Sequence, residues 1–140
     1  MTATTVASGV RGYAFRLTPG QDLKQELLAF AARHDLRAAA ILTCVGSLTD
    51  VCLRFANRPD GTPRRGHFEI VGLVGTLIAA GGHLHLAVAD ESGVMFGGHL
   101  LDGCLVYTTA EVVLAELGDV QFTRRLDAAF GYQELVVAPR

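Results

Sequence analysis

The chain has 140 residues, which corresponds to one domain, since domains centre on about 100–150 residues. Half of its residues are hydrophobic and 19% are charged. This composition excludes an intrinsically disordered chain, which would lack the apolar surface that offsets the entropy of ordering. The net charge of −2 argues against an extended phosphate-binding surface but not against a local basic patch. Globular domains are usually about 25% charged, so we expect self-association to cover the apolar excess.

The cysteines and the N-terminus bear on the cellular compartment. Cys44, Cys52 and Cys104 are odd in number and show no C-x-x-C spacing, which favours free thiols in a reducing cytoplasm. Residues 1–8 lack the basic start and apolar run of a secretory signal. The longest stretch without Asp, Glu, Lys or Arg covers residues 71–89, and its Gly-Gly pair predicts a hairpin. We therefore expect no membrane partner.

The N-terminal third predicts a strand followed by a helix. Residues 1–12 are small and polar, and we expect them to be a flexible segment ahead of a single domain over 13–140. Alternation over residues 13–17 predicts a strand. Asp22, with a Gln three residues later, resembles a capping box, and apolar residues then repeat at helical spacing up to His34.

After the helix, the pattern becomes that of strands, with Gly46-Ser47 separating the first two. A short helix is predicted within residues 120–130. Predicted strands cover 38–45, 48–55, 67–78, 83–90, 94–100, 105–117 and 134–137. One main helix among many strands predicts an α+β domain, in which the helix packs on one face of an antiparallel or mixed sheet.

Three of the five histidines fall on one predicted hairpin. His83 and His85 point to the same face, because alternate residues of a strand do so. A three-residue loop over 91–93, ending in glycine, pairs His85 with His99. The same register places small residues beside the imidazoles, whereas the leucines and valines between them face a core. The sequence therefore predicts three imidazoles on one open face of the sheet.

Two interpretations of this cluster remain open. Facing Cβ atoms lie about 4.5–5.5 Å apart, so three imidazoles can reach one divalent transition metal, most simply zinc with an open fourth position. Alternatively, a bulge at Gly97-Gly98 turns His99 away, or the histidines form a hydrogen-bonded structural cluster. Asp90, Glu69 and Glu111 are candidate bases or hydrogen-bond partners for metal-bound imidazoles, although nothing in the sequence places them near an ion.

The chain has one basic cluster, around the turn-rich loop over residues 57–63. Arg58, Arg64 and Arg65 are candidate phosphate contacts, and Arg54 lies just before them. No aromatic residue interleaves with them after Phe55, and no helix presents them, so solvated loop charge is the competing interpretation. The glycine pairs match neither a dinucleotide-binding motif nor a P-loop.

The chain resembles the PPC (plant and prokaryote conserved) domain family, in its stand-alone prokaryotic form. The resemblance rests on GHFEIV at 66–71, GHLHLAVAD at 82–90 and GGHL at 97–100. It implies an antiparallel sheet flanked by a helix and assembled as a homotrimer. Plant members carry the domain behind an AT-hook that reads the DNA minor groove, and this sequence contains no such Arg-Gly-Arg-Pro element.

The resemblance also implies functional residues. In plants, a Gly-Arg-Phe-Glu-Ile-Leu stretch supports partner binding, which corresponds here to Gly66, Phe68, Glu69 and Ile70, with His in place of the Arg and Val in place of the Leu. Some relatives hold a metal at three histidines that match His83, His85 and His99. We therefore expect a trimeric binding or assembly module for DNA or protein partners rather than an enzyme. The alternative is a three-histidine metal protein with zinc-dependent, hydrolase-like chemistry.

Overall fold

The protein is described by a computed structural model that covers residues 4–140. Within this range, the chain forms one helix and eight strands. The elements are β1 (Val10–Leu17), α1 (Leu23–Arg33), β2 (Ala39–Arg54), β3 (Thr62–Ile78), β4 (Gly81–Ala89), β5 (Met95–Leu100), β6 (Leu105–Leu117), β7 (Val120–Leu126) and β8 (Gln133–Pro139). The predicted α+β class, with one main helix and an antiparallel sheet, is confirmed. No helix in the described range has the length and apolar character needed to cross a membrane.

Two predicted elements are wrong. The short helix predicted within residues 120–130 is strand β7, which pairs along its whole length with β8, and this pairing outweighs the weak helical spacing. The break predicted at Gly46-Ser47 does not occur, because β2 continues through both residues. Gly46 has φ +151° and lies where the register of β2 shifts against β6. A Cβ at this position would collide with the carbonyl of Thr109, so the glycine lets β2 stay close to β6.

The N-terminal strand is longer than predicted. β1 begins at Val10 instead of residue 13, and it pairs with β6 from Val10↔Leu117 onward. The backbone N–H of Gly9 donates to the carboxylate of Asp119 at 2.9 Å. Residues 4–12 therefore include strand residues, whereas residues 1–3 lie outside the described range. The flexibility of the 1–12 segment stays a prediction.

The main sheet has the order β1-β6-β2-β3-β4-β5, and β7 pairs with β8 in a separate hairpin. In addition, β5 pairs with the end of β2, through Leu53↔Leu100 and Arg54↔His99. Strands β2 to β5 therefore close on one another. This closure places Arg54 beside His99 of the histidine-bearing hairpin, although the two residues are 45 positions apart in the sequence.

Helix α1 begins where the sequence predicts. Asp22 is the N-cap, and its carboxylate accepts from the backbone N–H of Gln25 at 3.0 Å and of Gly103 at 2.6 Å. The cap therefore also ties the helix to the turn before β6. The buried residues of the helix face the sheet and complete the core; they are Leu23, Leu27, Phe30 and Ala31.

The opposite face of the sheet leaves large apolar side chains exposed. Leu42, Val45, Val71 and Val74 on β2 and β3 are each at least half exposed, and we name them the apolar β2–β3 surface. Val74 pairs with His85, so this surface continues to the histidines. Exposed aliphatic side chains grouped in this way are typical of interaction surfaces, which agrees with the expectation of self-association.

Candidate functional site

The β4–β5 hairpin has the register predicted from its loop. His85 pairs with His99, and the N–H of Asp90 donates to the carbonyl of Val94 at 3.0 Å to close the turn. Gly93 has φ +80°, the left-handed conformation that a loop of this length needs at its last residue. The bulge that would have turned His99 away does not occur between β4 and β5.

Asp90 and Glu111 lie away from the histidines. Asp90 Oδ1 accepts hydrogen bonds from the Oγ and N–H of Ser92 and from the N–H of Val94, at 2.6–3.0 Å. These bonds, chiefly those from Ser92, lower the pKa of Asp90. Its carboxylate therefore holds the turn. Glu111 is exposed on β6 opposite Val45, and neither carboxylate lines the cavity next to the histidines.

The hairpin is apolar on one face and open on the other. Leu84, Leu86 and Val88 are at most 3% exposed and belong to the core. On the histidine face, small residues pair with one another, as in Ala87↔Gly97. The neighbouring Gly98 is needed for the closure with β2, because a Cβ there would lie 2.6 Å from the carbonyl oxygen of Arg54.

The three imidazoles converge. His83, His85 and His99 each offer a ring nitrogen, and these nitrogens lie within 4.8 Å of one another. The Nε2 atoms of His83 and His85 are 3.1 Å apart. Nitrogens bound tetrahedrally to zinc at about 2.0–2.1 Å lie about 3.3 Å apart. Small rotations of these half-exposed rings would bring all three to that spacing, so the donor set fits one transition-metal ion.

Burial and nearby positive charge favour the neutral form of His83 and His99. Burial, followed by the charge of Arg54, lowers the pKa of His99 to about 4. Burial and the neighbouring His85 also lower the pKa of His83, with a smaller effect of Arg124. At neutral pH, both rings therefore keep a free lone pair, which is the form that binds metal.

The histidines form one wall of a cavity of about 1140 Å³. The end of β2 contributes Arg54, and the β7–β8 hairpin contributes Phe122, Arg124 and Leu135. Arg124 is held in place, because its Nη2 donates to Thr76 Oγ1 at 3.1 Å. The cavity thus combines three imidazoles, two guanidinium groups and apolar side chains.

Arg54 and Arg124 reach the site through long-range packing. The sequence groups Arg54 with the basic loop and gives no sign of Arg124. Arg54 could have been placed only by knowing that β5 returns to β2, and Arg124 only by knowing that residues 120–126 form a strand.

The predicted phosphate contacts do not form one patch. Arg64 and Arg65 lie within β3 instead of the loop, so their side chains point to opposite faces. The guanidinium of Arg64 lies 4.9 Å from the ring centroid of Phe96, and Arg65 forms an ion pair with Asp50 at 3.7 Å. Arg58 is exposed in the turn after β2.

The segment predicted to bind partners is also in β3. Phe68 and Ile70 are each 6% exposed and pack in the core. Gly66 is half-buried and Glu69 is exposed. Glu69 is therefore the one side chain of the four predicted contacts that the structure leaves exposed to a partner.

Sequence similarity extends over most of this chain. The family model of the Plants and Prokaryotes Conserved (PCC) domain, the family named PPC above, matches residues 4–118. The chain belongs to this family. The match confirms the family resemblance, and it includes the three clustered histidines, His83, His85 and His99. Strands β7 and β8 lie beyond the matched segment.

Relatives of this PCC domain differ widely in length. The Bifunctional protein GlmU of Synechococcus sp. (strain JA-3-3Ab) is 50% identical over 126 residues, which is 90% of this chain and 20% of that protein. AT-hook motif nuclear-localized protein 13 of Arabidopsis thaliana is 33% identical over 109 residues, 70% of this chain and 24% of that protein. This chain thus spans about a fifth to a quarter of these relatives.

One solved structure is very similar to this PCC domain. A hypothetical protein from Salmonella cholerae-suis is 50% identical and superimposes with a TM-score of 0.94, covering 96% of this chain and 98% of that one. The fold of the PCC domain, including the β7–β8 hairpin, therefore agrees with that structure along nearly its whole length.

Proposed function

We propose that this PCC domain is a self-assembling binding module whose ligand site is the three-histidine cavity. The observation that carries the proposal is the convergence of His83, His85 and His99 at the wall of a large cavity. These residues would hold a divalent transition metal, with zinc the best match to three neutral imidazoles. When bound, the metal would offer an open coordination position to a ligand in the cavity.

Binding is favoured over hydrolase-like chemistry by the cavity lining. Metal-assisted hydrolysis commonly uses a positioned general base in addition to the metal ligands. Glu134 is the one carboxylate among the residues lining the cavity, and it is exposed. Two arginines face the same space, and cationic groups bind anions more readily than they remove protons. We therefore propose that the site binds a ligand and does not hydrolyse one.

Metal analysis tests the site directly. Protein made without a histidine tag is dialysed against zinc, desalted and analysed for metal by mass spectrometry. About one ion per chain is expected in the wild type and in His67→Ala, whose imidazole packs against Tyr107 at 5.0 Å between ring centroids and does not line the cavity. His85→Ala should lose the metal. Substoichiometric metal in the wild type, or equal loss in both variants, would overturn the proposal.

Self-assembly is supported by the apolar β2–β3 surface. The family suggests a homotrimer, so light scattering should give a mass near three times 14.9 kDa. Val45→Asp places a charge on this surface and should lower the mass toward that of one chain. Val94→Asp, at a side chain of similar exposure in the hairpin turn, is the control. A monomeric wild type, or equal dissociation in both variants, would contradict this assembly surface.

Direct DNA contact is the weaker part of the binding proposal. A relative named for an AT-hook motif is the reason to consider DNA. Two observations argue against direct contact: the net charge of this chain is −2, and Arg64 and Arg65 lie on opposite faces of β3. Fluorescence anisotropy with duplex DNA at about 150 mM salt should therefore show no binding, and a steep salt slope would instead establish electrostatic DNA binding.

We place the protein in the cytoplasm, where its three free cysteines stay reduced.

A further inference from the structure

Two guanidinium groups lie beside the histidine cluster. Arg54 is the strand partner of His99, and Arg124 is fixed by its hydrogen bond to Thr76. Both line the cavity and are half-buried. Their charges act on the imidazoles, since each lowers the pKa of at least one histidine of the cluster. Two positive charges therefore act on the histidine cluster from the lining of the cavity.

Neither arginine has an acidic partner in the described range. The ion pairs within 4.0 Å among residues 4–140 involve other cations; they are Lys24–Asp102, Arg37–Asp35, Arg65–Asp50 and Arg140–Glu116. Glu134 lines the cavity but is not within that distance of either guanidinium. Partly desolvated cations without a counter-charge cost free energy, and an anion from solution would supply the missing partner.

The rest of the cavity is suited to an apolar group. Phe122 and Leu135 from the β7–β8 hairpin face it, together with Ile78 at the end of β3. Phe122, Arg124 and Leu135 lie beyond the segment matched by the family model. The lining of one cavity thus combines two guanidinium groups with apolar side chains.

We infer that the cavity binds a small organic oxyanion, with its carboxylate or phosphate group against Arg54 and Arg124 and its apolar body against Phe122 and Leu135. Guanidinium groups match both oxyanions through paired N–H donors. This inference rests on the proposed binding role of the cavity but does not require the metal, because the two arginines bind the anion by themselves. A metal at the histidines would add a further contact to the same oxyanion.

Calorimetry with simple probes tests the inference on the full chain, first freed of metal and desalted, then loaded with zinc. Phenylacetate and phenyl phosphate are compared with the neutral 2-phenylethanol and with inorganic phosphate. At least one aromatic oxyanion should bind metal-free protein about tenfold or more tighter than the neutral probe, as expected for charge-assisted hydrogen bonds. The tighter of the two assigns the carboxylate or the phosphate class.

Matched variants locate the binding groups. Arg54→Gln and Arg124→Gln should each weaken the preferred oxyanion about tenfold, while Arg64→Gln, at an arginine stacked on Phe96 outside the cavity, should leave it unchanged. Phe122→Ala should weaken the aromatic oxyanion but not inorganic phosphate. Thermal unfolding confirms that each variant is folded.

The outcomes separate this inference from the proposed metal site. If zinc binds at one ion per chain but no oxyanion exceeds the neutral probe, the anion site is overturned and the metal site stands. Oxyanion binding that depends on both cavity arginines in a protein that takes up no zinc would support the anion site and overturn the metal site. Equal weakening in all three arginine variants would overturn the anion site, because it would show a nonspecific charge effect.

Discussion

Leu86 and His85 are consecutive residues of β4 that face opposite sides of the sheet, and replacing each by alanine tests that arrangement. Leu86 is 1% exposed and has Leu73 and Gly98 as its strand partners. Hydrogen-bonded strands on both sides limit collapse into the space left by a smaller side chain. Leu86→Ala should therefore cost about 3 kcal/mol, within the range of about 2–5 for buried leucines, or a roughly 150-fold change in the unfolding equilibrium.

His85→Ala is the matched comparison, because its side chain is exposed. In metal-free protein, this variant should lie within about 0.5 kcal/mol of wild type, as surface substitutions usually do. Urea unfolding followed by circular dichroism measures both, at one protein concentration because assembly contributes to stability. Similar losses in the two variants, or a loss below about 1 kcal/mol for Leu86→Ala, would refute the assignment of faces on which the site depends.

Three further predictions concern local features. Burial and nearby cations lower the pKa of His99 from 6.5 to about 4. Between these two pH values, the unfolded chain therefore binds more protons at this residue than the folded chain does. Metal-free stability should therefore decrease from about pH 7 to about pH 4, and a slope unchanged in His99→Asn would contradict this. Asp22→Ala removes the helix cap and should cost about 1–2 kcal/mol by urea titration, whereas Gln25→Ala, which keeps the backbone N–H, should cost much less. Gly46→Ala should lose more than about 1 kcal/mol from backbone collision, unlike Gly72→Ala, where a Cβ meets open space; equal melting temperatures would contradict this.

Much of the histidine site could be predicted because it is encoded within one short hairpin. A three-residue loop that ends in glycine determines which residues of the two strands pair with each other. The two-residue repeat of a β-strand determines which side chains lie on the same face. His85 and His99 could therefore be paired from their positions alone. The helix start at Asp22 was predictable for a similar reason, since its capping bond spans three residues.

The remainder of the site depends on contacts between distant segments. Arg54 reaches His99 because β5 returns to the end of β2, and no local pattern specifies that closure. Residues 120–126 form a strand because β8 is available to pair with them. The family resemblance predicts Phe68 and Ile70 as partner contacts. They belong to the core instead, because the alternation of side chains along β3 directs both of them inward.

The amino-acid sequence alone determined the fold class and the predicted register of the histidine hairpin, because hydrophobic period, capping and turn chemistry act over a few residues. Its motifs carried the resemblance to the family. Only the tertiary structure decided which cations join those imidazoles and what encloses them. Arg54 and Arg124 come from strands far apart in the chain, and their placement in the same cavity depends on the closure of β2 to β5 and on the position of the β7–β8 hairpin. Such placement results from packing of the whole domain, since side chains distant in sequence become neighbours only when the core between them is formed.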